Sequence, residues 1–289
     1  MERTSIMSKL RITIYTPDSL LSNPLKMWRG MLRDLVASRE LAWRLTVRDI
    51  SAQYRQTFLG FLWAIMLPLA NTLVWIFLSR SGVVNLSNTP LPYPVYVFTG
   101  TMLWAILMDA LNAPLQMTVA SKSMLAKINF PREALVVAGI CQVTINALIK
   151  IILLVITLLA IGVYPSWSAL LFPIGLLSLI LVGTVIGLAL TPIGLLYADV
   201  GKAIPLLMQF IMYITPVVFA MPKEGFSATL FQINPLTPLI LTARDWLTGL
   251  TPEYLGYFLV VNVVAIVMLF IFWVVFRLGM PILIERMGS

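Results

Sequence analysis

Residues 134–163 read ALVVAGICQVTINALIKIILLVITLLAIGV, and Lys150 is the one charged side chain in the run. A helix that crosses lipid needs roughly 20 mostly apolar residues. It must also pair its backbone groups within the segment, because an unsatisfied amide or carbonyl in hydrocarbon costs several kcal/mol. This stretch meets both conditions. It predicts a transmembrane α-helix, and with it the fold class.

The same test finds five more runs on either side, at about Gly60–Ser79, Val95–Val119, Ala169–Leu196, Ile204–Met221 and Tyr254–Arg277, with the quoted run entered as Ala134–Val163. Composition agrees: 60% of residues are hydrophobic and 11% charged, where a soluble domain carries about 25% charge. Pro114, Pro173, Pro192 and Pro216 lie in or near the runs, and neighbouring helices can take up the carbonyls they free. The expected fold is an all-α polytopic membrane protein. It has six transmembrane helices, an N-terminal amphipathic interface helix and short re-entrant outer helices between spans five and six. The organisation reads as a cytoplasmic segment over 1–59, a six-helix domain over 60–277 and a cytoplasmic tail over 278–289. No secretory leader is expected, since the first long apolar run begins near Gly60.

Basic residues orient the chain. Arg3, Lys9, Arg11, Lys26, Arg29, Arg33, Arg39, Arg44, Arg48 and Arg55 precede the first span. Lys122, Lys127 and Arg132 fall between spans two and three, Lys202 between four and five, and Arg277 and Arg286 at the end. The opposite side holds only Arg80, Lys223 and Arg244. Both termini are therefore expected in the cytoplasm of a bacterial inner-membrane protein. Topology explains the net charge of +8, so no nucleic-acid partner is inferred.

The chemistry excludes most enzymes. There is no histidine and one cysteine, Cys141, so His- or Cys-built metal sites and Ser-His-Asp or Cys-His catalysis are excluded. The Gly201-Lys202-Ala203 sequence lacks the rest of a phosphate-binding loop. No G-x-S-x-G elbow occurs. No catalytic residue, metal site or bound cofactor is expected on this chain, and a conduit driven by a partner fits better than an enzyme.

Three segments outside the spans carry patterns. Over about 40–58, Trp43, Val47, Ile50, Tyr54 and Phe58 form one apolar stripe beside Arg44, Arg48 and Arg55, the pattern of a basic helix lying at the headgroup level. The connection Ser121–Glu133 is short and basic and holds Phe130-Pro131-Arg132-Glu133, where proline suits the start of a helix. Between Met221 and Glu253, the apolar pieces Ala228–Ile233 and Leu236–Thr242 are too short to cross and are broken by Asn234-Pro235 and Pro238. These are expected as re-entrant or interfacial helices on the outer side.

Inside the spans, Asp109 and Lys150 are the deeply placed charges. At about 1.5 Å per residue both lie roughly 20 Å below the outer surface. Asn112 and Gln116 continue the Asp109 face, and Gln142 and Asn146 lead to Lys150 in steps of four. Since consecutive antiparallel helices are usually neighbours, the stripes predict an intramembrane ion pair. Separate exposure of each side chain to an aqueous conduit is the alternative. Tyr93, Tyr96, Phe98 and Trp104 near the second span and Phe210, Tyr213 and Phe219 along the fifth are aromatic rings suited to stacking on the apolar faces of a passing molecule. A lipid-facing aromatic belt is the competing reading of these rings.

Arg48-Asp49, Gln53-Tyr54-Arg55-Gln56, Leu59-Gly60, Leu62-Trp63 and Pro68 together resemble the opening signature of ABC-2-type polysaccharide and polyol exporter permeases, the membrane subunits of O-antigen, capsule and teichoic-acid exporters. Phe130-Pro131-Arg132-Glu133, Asp199-Val200, Thr215-Pro216-Val217-Val218, and Asn234-Pro235-Leu236 with Arg244-Asp245 resemble later motifs of that family in the same order. Ala198 departs from it, where many relatives have arginine. The resemblance implies an ATP-driven exporter of a lipid-linked polysaccharide, such as the O-antigen of lipopolysaccharide biosynthesis. It implies a homodimer that binds two copies of a separate ATPase, which would hold the ATP and magnesium. Arg48, Tyr54, Arg55, Lys127, Phe130, Pro131, Arg132 and Glu133 would dock and couple the ATPase, and Asn234, Pro235, Leu236 and Arg244 would form an outer gate. A drug or antibiotic efflux permease of the same superfamily and an ion-coupled carrier are the alternatives. A missing internal repeat weighs against the carrier.

Overall fold

The computed structural model describes residues 24–55, 62–82, 89–128, 130–222 and 224–288. Eleven α-helices are found among them. In chain order they are α1 (Pro24–Ala37), α2 (Arg39–Arg55), α3 (Trp63–Arg80), α4 (Tyr93–Ala120), α5 (Lys122–Lys127), α6 (Glu133–Ala160), α7 (Phe172–Leu196), α8 (Ala198–Tyr213), α9 (Gly225–Ile233), α10 (Leu236–Thr248) and α11 (Leu255–Gly288). A 3-10 turn, Trp167–Leu171, leads into α7.

Four helices are long and apolar enough to cross a bilayer: Tyr93–Ala120, Glu133–Ala160, Trp167–Leu196 and Leu255–Leu283. Their outer faces carry what a soluble protein would bury. Leu148, Ile152, Ile156 and Leu159 form an exposed stripe on α6, and Leu259, Val260, Val263, Val264 and Val267 do the same on α11. Lipid is the solvent for such faces. The centre is α4, with α3, α6 and α7 around it. Without a hydrophobic drive between helices in lipid, close approach needs small residues at the contact. Gly187 of α7 shows how close: a Cβ there would sit 2.3 Å from the Leu111 carbonyl oxygen of α4.

The other two expected spans are not among these four. α3 has 18 residues. The run Ile204–Met221 is not one helix: α8 begins earlier, at Ala198, has 16 residues and ends at Tyr213, after which the chain turns through 214–219. Pro216 cannot donate to a helical ladder, and side chains from other helices take the carbonyls that the turn leaves free. The expected tail 278–289 continues α11 as far as Gly288. The N-terminal segment holds a helix that hydropathy missed, α1, whose Met27 and Met31 are buried and whose Trp28 meets Phe270 of α11 edge to face at 5.4 Å.

Candidate functional site

The end of the bundle expected from sequence to be the outer one is built around the turn that follows α8. Val217 and Val218 in that turn are fully buried, so its carbonyls need partners inside the fold. Tyr96 of α4 donates its hydroxyl toward the Pro216 and Phe219 carbonyls, each 3.1 Å away. Asn234 donates from Nδ2 to the Ile214 carbonyl at 3.0 Å and to Thr215 Oγ1 at 2.7 Å. Its Oδ1 accepts from the Leu236 amide, which starts α10. Arg244 reaches back from α10 and donates to the Val217 carbonyl at 3.0 Å. Its guanidinium lies 3.7 Å from the centre of the Tyr96 ring, a cation–π contact made away from water. Arg244 is 0% exposed, and its Nε and Nη1 are buried without a partner among the described residues. Only glycine fits at position 100, where a Cβ would come 2.2 Å from the Val217 oxygen and 2.3 Å from Arg244 Nη2.

Asn234, Leu236 and Arg244, read from sequence as an outer gate with Pro235, are thus buried, and the two polar side chains brace the turn. Beside Arg244, burial pushes the Asp245 carboxyl up from 3.8 to about 6; the neighbouring guanidinium opposes the shift and Glu253 adds to it.

The candidate glycan-path rings divide into two groups. Tyr96, Phe98 and Trp104 are core side chains, and Tyr93 is packed against the core. Along α8, Phe210 and Tyr213 are exposed, and Phe219 is half-buried. The sequence reading missed Trp75 of α3, which meets Phe219 edge to face at 5.2 Å and Tyr213 at 6.3 Å. Its Trp-Ile-Phe setting in an apolar run hid it, because only the fold brings α3 beside the end of α8.

Midway along the bundle, Lys150 Nζ lies 2.6 Å from Asp109 Oδ2. The lysine side chain is 7% exposed and the aspartate 36%. A buried charge in a span requires a partner or water, and here each supplies the other.

On the basic side, α2 packs on α6 through Ala42, Leu45 and Thr46, with Thr46 Oγ1 reaching the Ala138 carbonyl at 3.2 Å. The apolar stripe expected at the headgroup level faces away from the rest of the chain: Trp43 and Val47 are 56% and 46% exposed. Small residues face the protein and large ones are free for lipid. Arg48 is paired with Asp49 at 2.6 Å. The side chains of Tyr54 and Arg55, and residues 56–61 with Phe58 and Leu59-Gly60, lie outside the described residues. In the α5–α6 connection Lys127 is exposed, Pro131 and Arg132 are half-buried, and Phe130 packs on the cluster around Leu45, Leu125 and Leu135. Ile128, 58% exposed, is the apolar side chain that the loop offers outward. Glu133 is buried and accepts from Arg277 Nη1 at 2.7 Å, while Arg277 Nη2 meets Asp34 of α1 at 2.6 Å. One arginine ties α1, α6 and α11 together. Neither Asp34 nor Arg277 carried a sequence signal beyond its charge.

Sequence relatives now bear on this arrangement. The chain is 25% identical over 213 residues to the O-antigen export system permease protein RfbA of Myxococcus xanthus, covering 73% of this chain and 81% of that protein. It is 26% identical over 218 residues to RfbA of Klebsiella pneumoniae, with the same coverage. Against the polysialic acid transport protein KpsM of Escherichia coli it is 24% identical over 232 residues, covering 75% of this chain and 87% of that one. The chain is thus similar, over about three quarters of its length, to proteins named for polysaccharide export and transport. No protein-family model matches it.

Proposed function

We propose that this chain is the membrane-spanning permease subunit of an ATP-driven exporter that carries a lipid-linked polysaccharide across the cytoplasmic membrane. The observation that carries the proposal is the similarity, over about three quarters of the chain, to two differently named polysaccharide permeases. In this reading α3 and α8 complete a six-span bundle with the four longer helices, and both termini are cytoplasmic. The helices α9 and α10 re-enter from the outer side. Two copies of the chain enclose the path, and two copies of a separate ATPase bind beneath them and hold the nucleotide.

The exposed rings of α8 together with Trp75 support a path along the α3–α8 side. Aromatic faces let a sugar chain stack and release repeatedly. The basic face of α2 and the α5–α6 connection, with Lys127 and Ile128 outward, form the ATPase-docking surface. ATP-driven closure of the ATPases then moves α2 and α6 together, since they share the Ala42–Leu45 contact and the Thr46–Ala138 hydrogen bond. The test is purification with and without the co-encoded ATPase. Hydrolysis is expected in the pair and not in the chain alone; turnover by the isolated chain rejects the reading.

A further inference from the structure

A cleft of about 340 Å³ opens between α2, α4 and α6, within the size range of small-molecule sites. Its walls are polar where the rest of the bundle is not. Asp49 and Gln53 come from α2, Asn112 and Gln116 from α4, and Gln142 and Asn146 from α6, with Asp109 at the inner end. Polar side chains at this depth are costly unless they serve water or a ligand.

The charges decide which ligand. Asp109 is held by Lys150 and Asp49 Oδ1 by Arg48, each at 2.6 Å. With both carboxylates partnered, a cation gains little. An anion such as phosphate would face two carboxylates, and the lysine beside the cleft is already engaged. Among the lining carboxamides, Asn112 Nδ2 donates to the Met108 carbonyl at 2.8 Å and Gln142 Nε2 to Gln53 Oε1 at 3.3 Å. That leaves Gln116 and the remaining polar atoms of Asn112, Gln53 and Gln142 to donate and accept, with one carboxylate oxygen, Asp49 Oδ2, buried without a partner among the described residues. That set suits an uncharged group bearing several hydroxyls. Among the described residues no aromatic ring lines the cleft, so the contacts they offer there are exchangeable hydrogen bonds.

We infer that this cleft is a sugar-binding site, taking a neutral sugar residue of the exported glycan where it leaves the cytoplasm; the inference rests on the permease reading above. Asp49 Oδ2 on α2 accepts a hydrogen bond from a sugar hydroxyl, and Asn112, Gln116 and Gln142 meet the remaining hydroxyls inward toward Asp109.

The test is cysteine protection in inverted vesicles from cells that make the cognate glycan and the co-encoded ATPase. In a Cys141→Ser background, Gln116→Cys is labelled with a small uncharged methanethiosulfonate, with glycan synthesis on or repressed. Lys122→Cys, exposed outside the cleft, is the control. Labelling at 116 should slow at least threefold when glycan is present, with the control unchanged. A second pair, Asn112→Leu and Gln142→Leu, should cut export about tenfold at normal folded yield. Equal labelling rates while the native chain exports would overturn the site and leave the permease reading intact. Failure of the native pair to export any polymer would overturn the permease reading, and the site with it.

Discussion

Removing Lys150 strands Asp109 in the bundle, and the structure sets the scale of that loss. The pair is direct, at 2.6 Å, with the lysine 7% and the aspartate 36% exposed. Breaking a fully buried pair by deleting one partner costs about 3–5 kcal/mol, and a lone aspartate at mid-span costs roughly 3 kcal/mol on insertion scales. Asp109 keeps contact with the polar cleft, so Lys150→Met is expected near the lower end, about 2–3 kcal/mol. For a chain of this size that is a fall in Tm of roughly 3–5 °C. Lys150→Asp, which adds a second carboxylate, should be worse, and so should Asp109→Lys. The exchanged double variant should recover at least half of the loss, short of all of it because the two side chains differ in length. Thermal unfolding in detergent, followed by fluorescence-detected size exclusion, measures all four proteins. A double variant as poor as the two singles added would refute the pairing and return both side chains to separate wet environments.

Gly100→Ala should abolish folded yield, since its Cβ would overlap the Val217 oxygen and Arg244 at once; membrane abundance by immunoblot reads this, and normal abundance would contradict the braced turn. Arg277→Met leaves Asp34 and Glu133 without their shared cation and should cost about 2–4 kcal/mol, seen as a lower Tm that Glu133→Gln partly restores. Asp245 holds its proton more tightly in the fold than unfolded, at about 6 against 3.8. Its ionisation therefore costs nothing below pH 4, and the cost grows as pH rises toward 6 and stays constant above, reaching at most about 3 kcal/mol. Asp245→Asn should flatten that decline in Tm between pH 4.5 and 7; an unchanged slope would exclude Asp245 as its source.

Hydropathy located the helices because lipid and packed protein reward the same side chains. For the same reason it did not tell the two apart. On α2 it picked Trp43 and Val47, which face outward, and passed over Ala42 and Thr46, which hold the helix to α6. Among the aromatics it set Tyr96 and Phe98 beside Phe210, although the first two are core and the last exposed. α1 escaped because its buried side chains are two methionines set among basic residues. The Asp109–Lys150 contact was legible because charge inside a span is scarce and both residues sit on polar stripes of consecutive helices. The brace of Tyr96, Asn234 and Arg244 was legible only in part. The motif marked Asn234 and Arg244, but their target, the broken end of α8, depends on contacts more than a hundred residues apart in the case of Tyr96.

The central claim is tested most directly by transport itself. The chain and its co-encoded ATPase are reconstituted together in proteoliposomes loaded with the cognate lipid-linked polysaccharide, and ATP-dependent appearance of polymer on the opposite leaflet is measured with a membrane-impermeant glycosidase or lectin. The account predicts movement that needs both proteins and hydrolysable ATP. Polymer that stays on its original side while the same complex hydrolyses ATP and moves an unrelated amphipathic drug would contradict it.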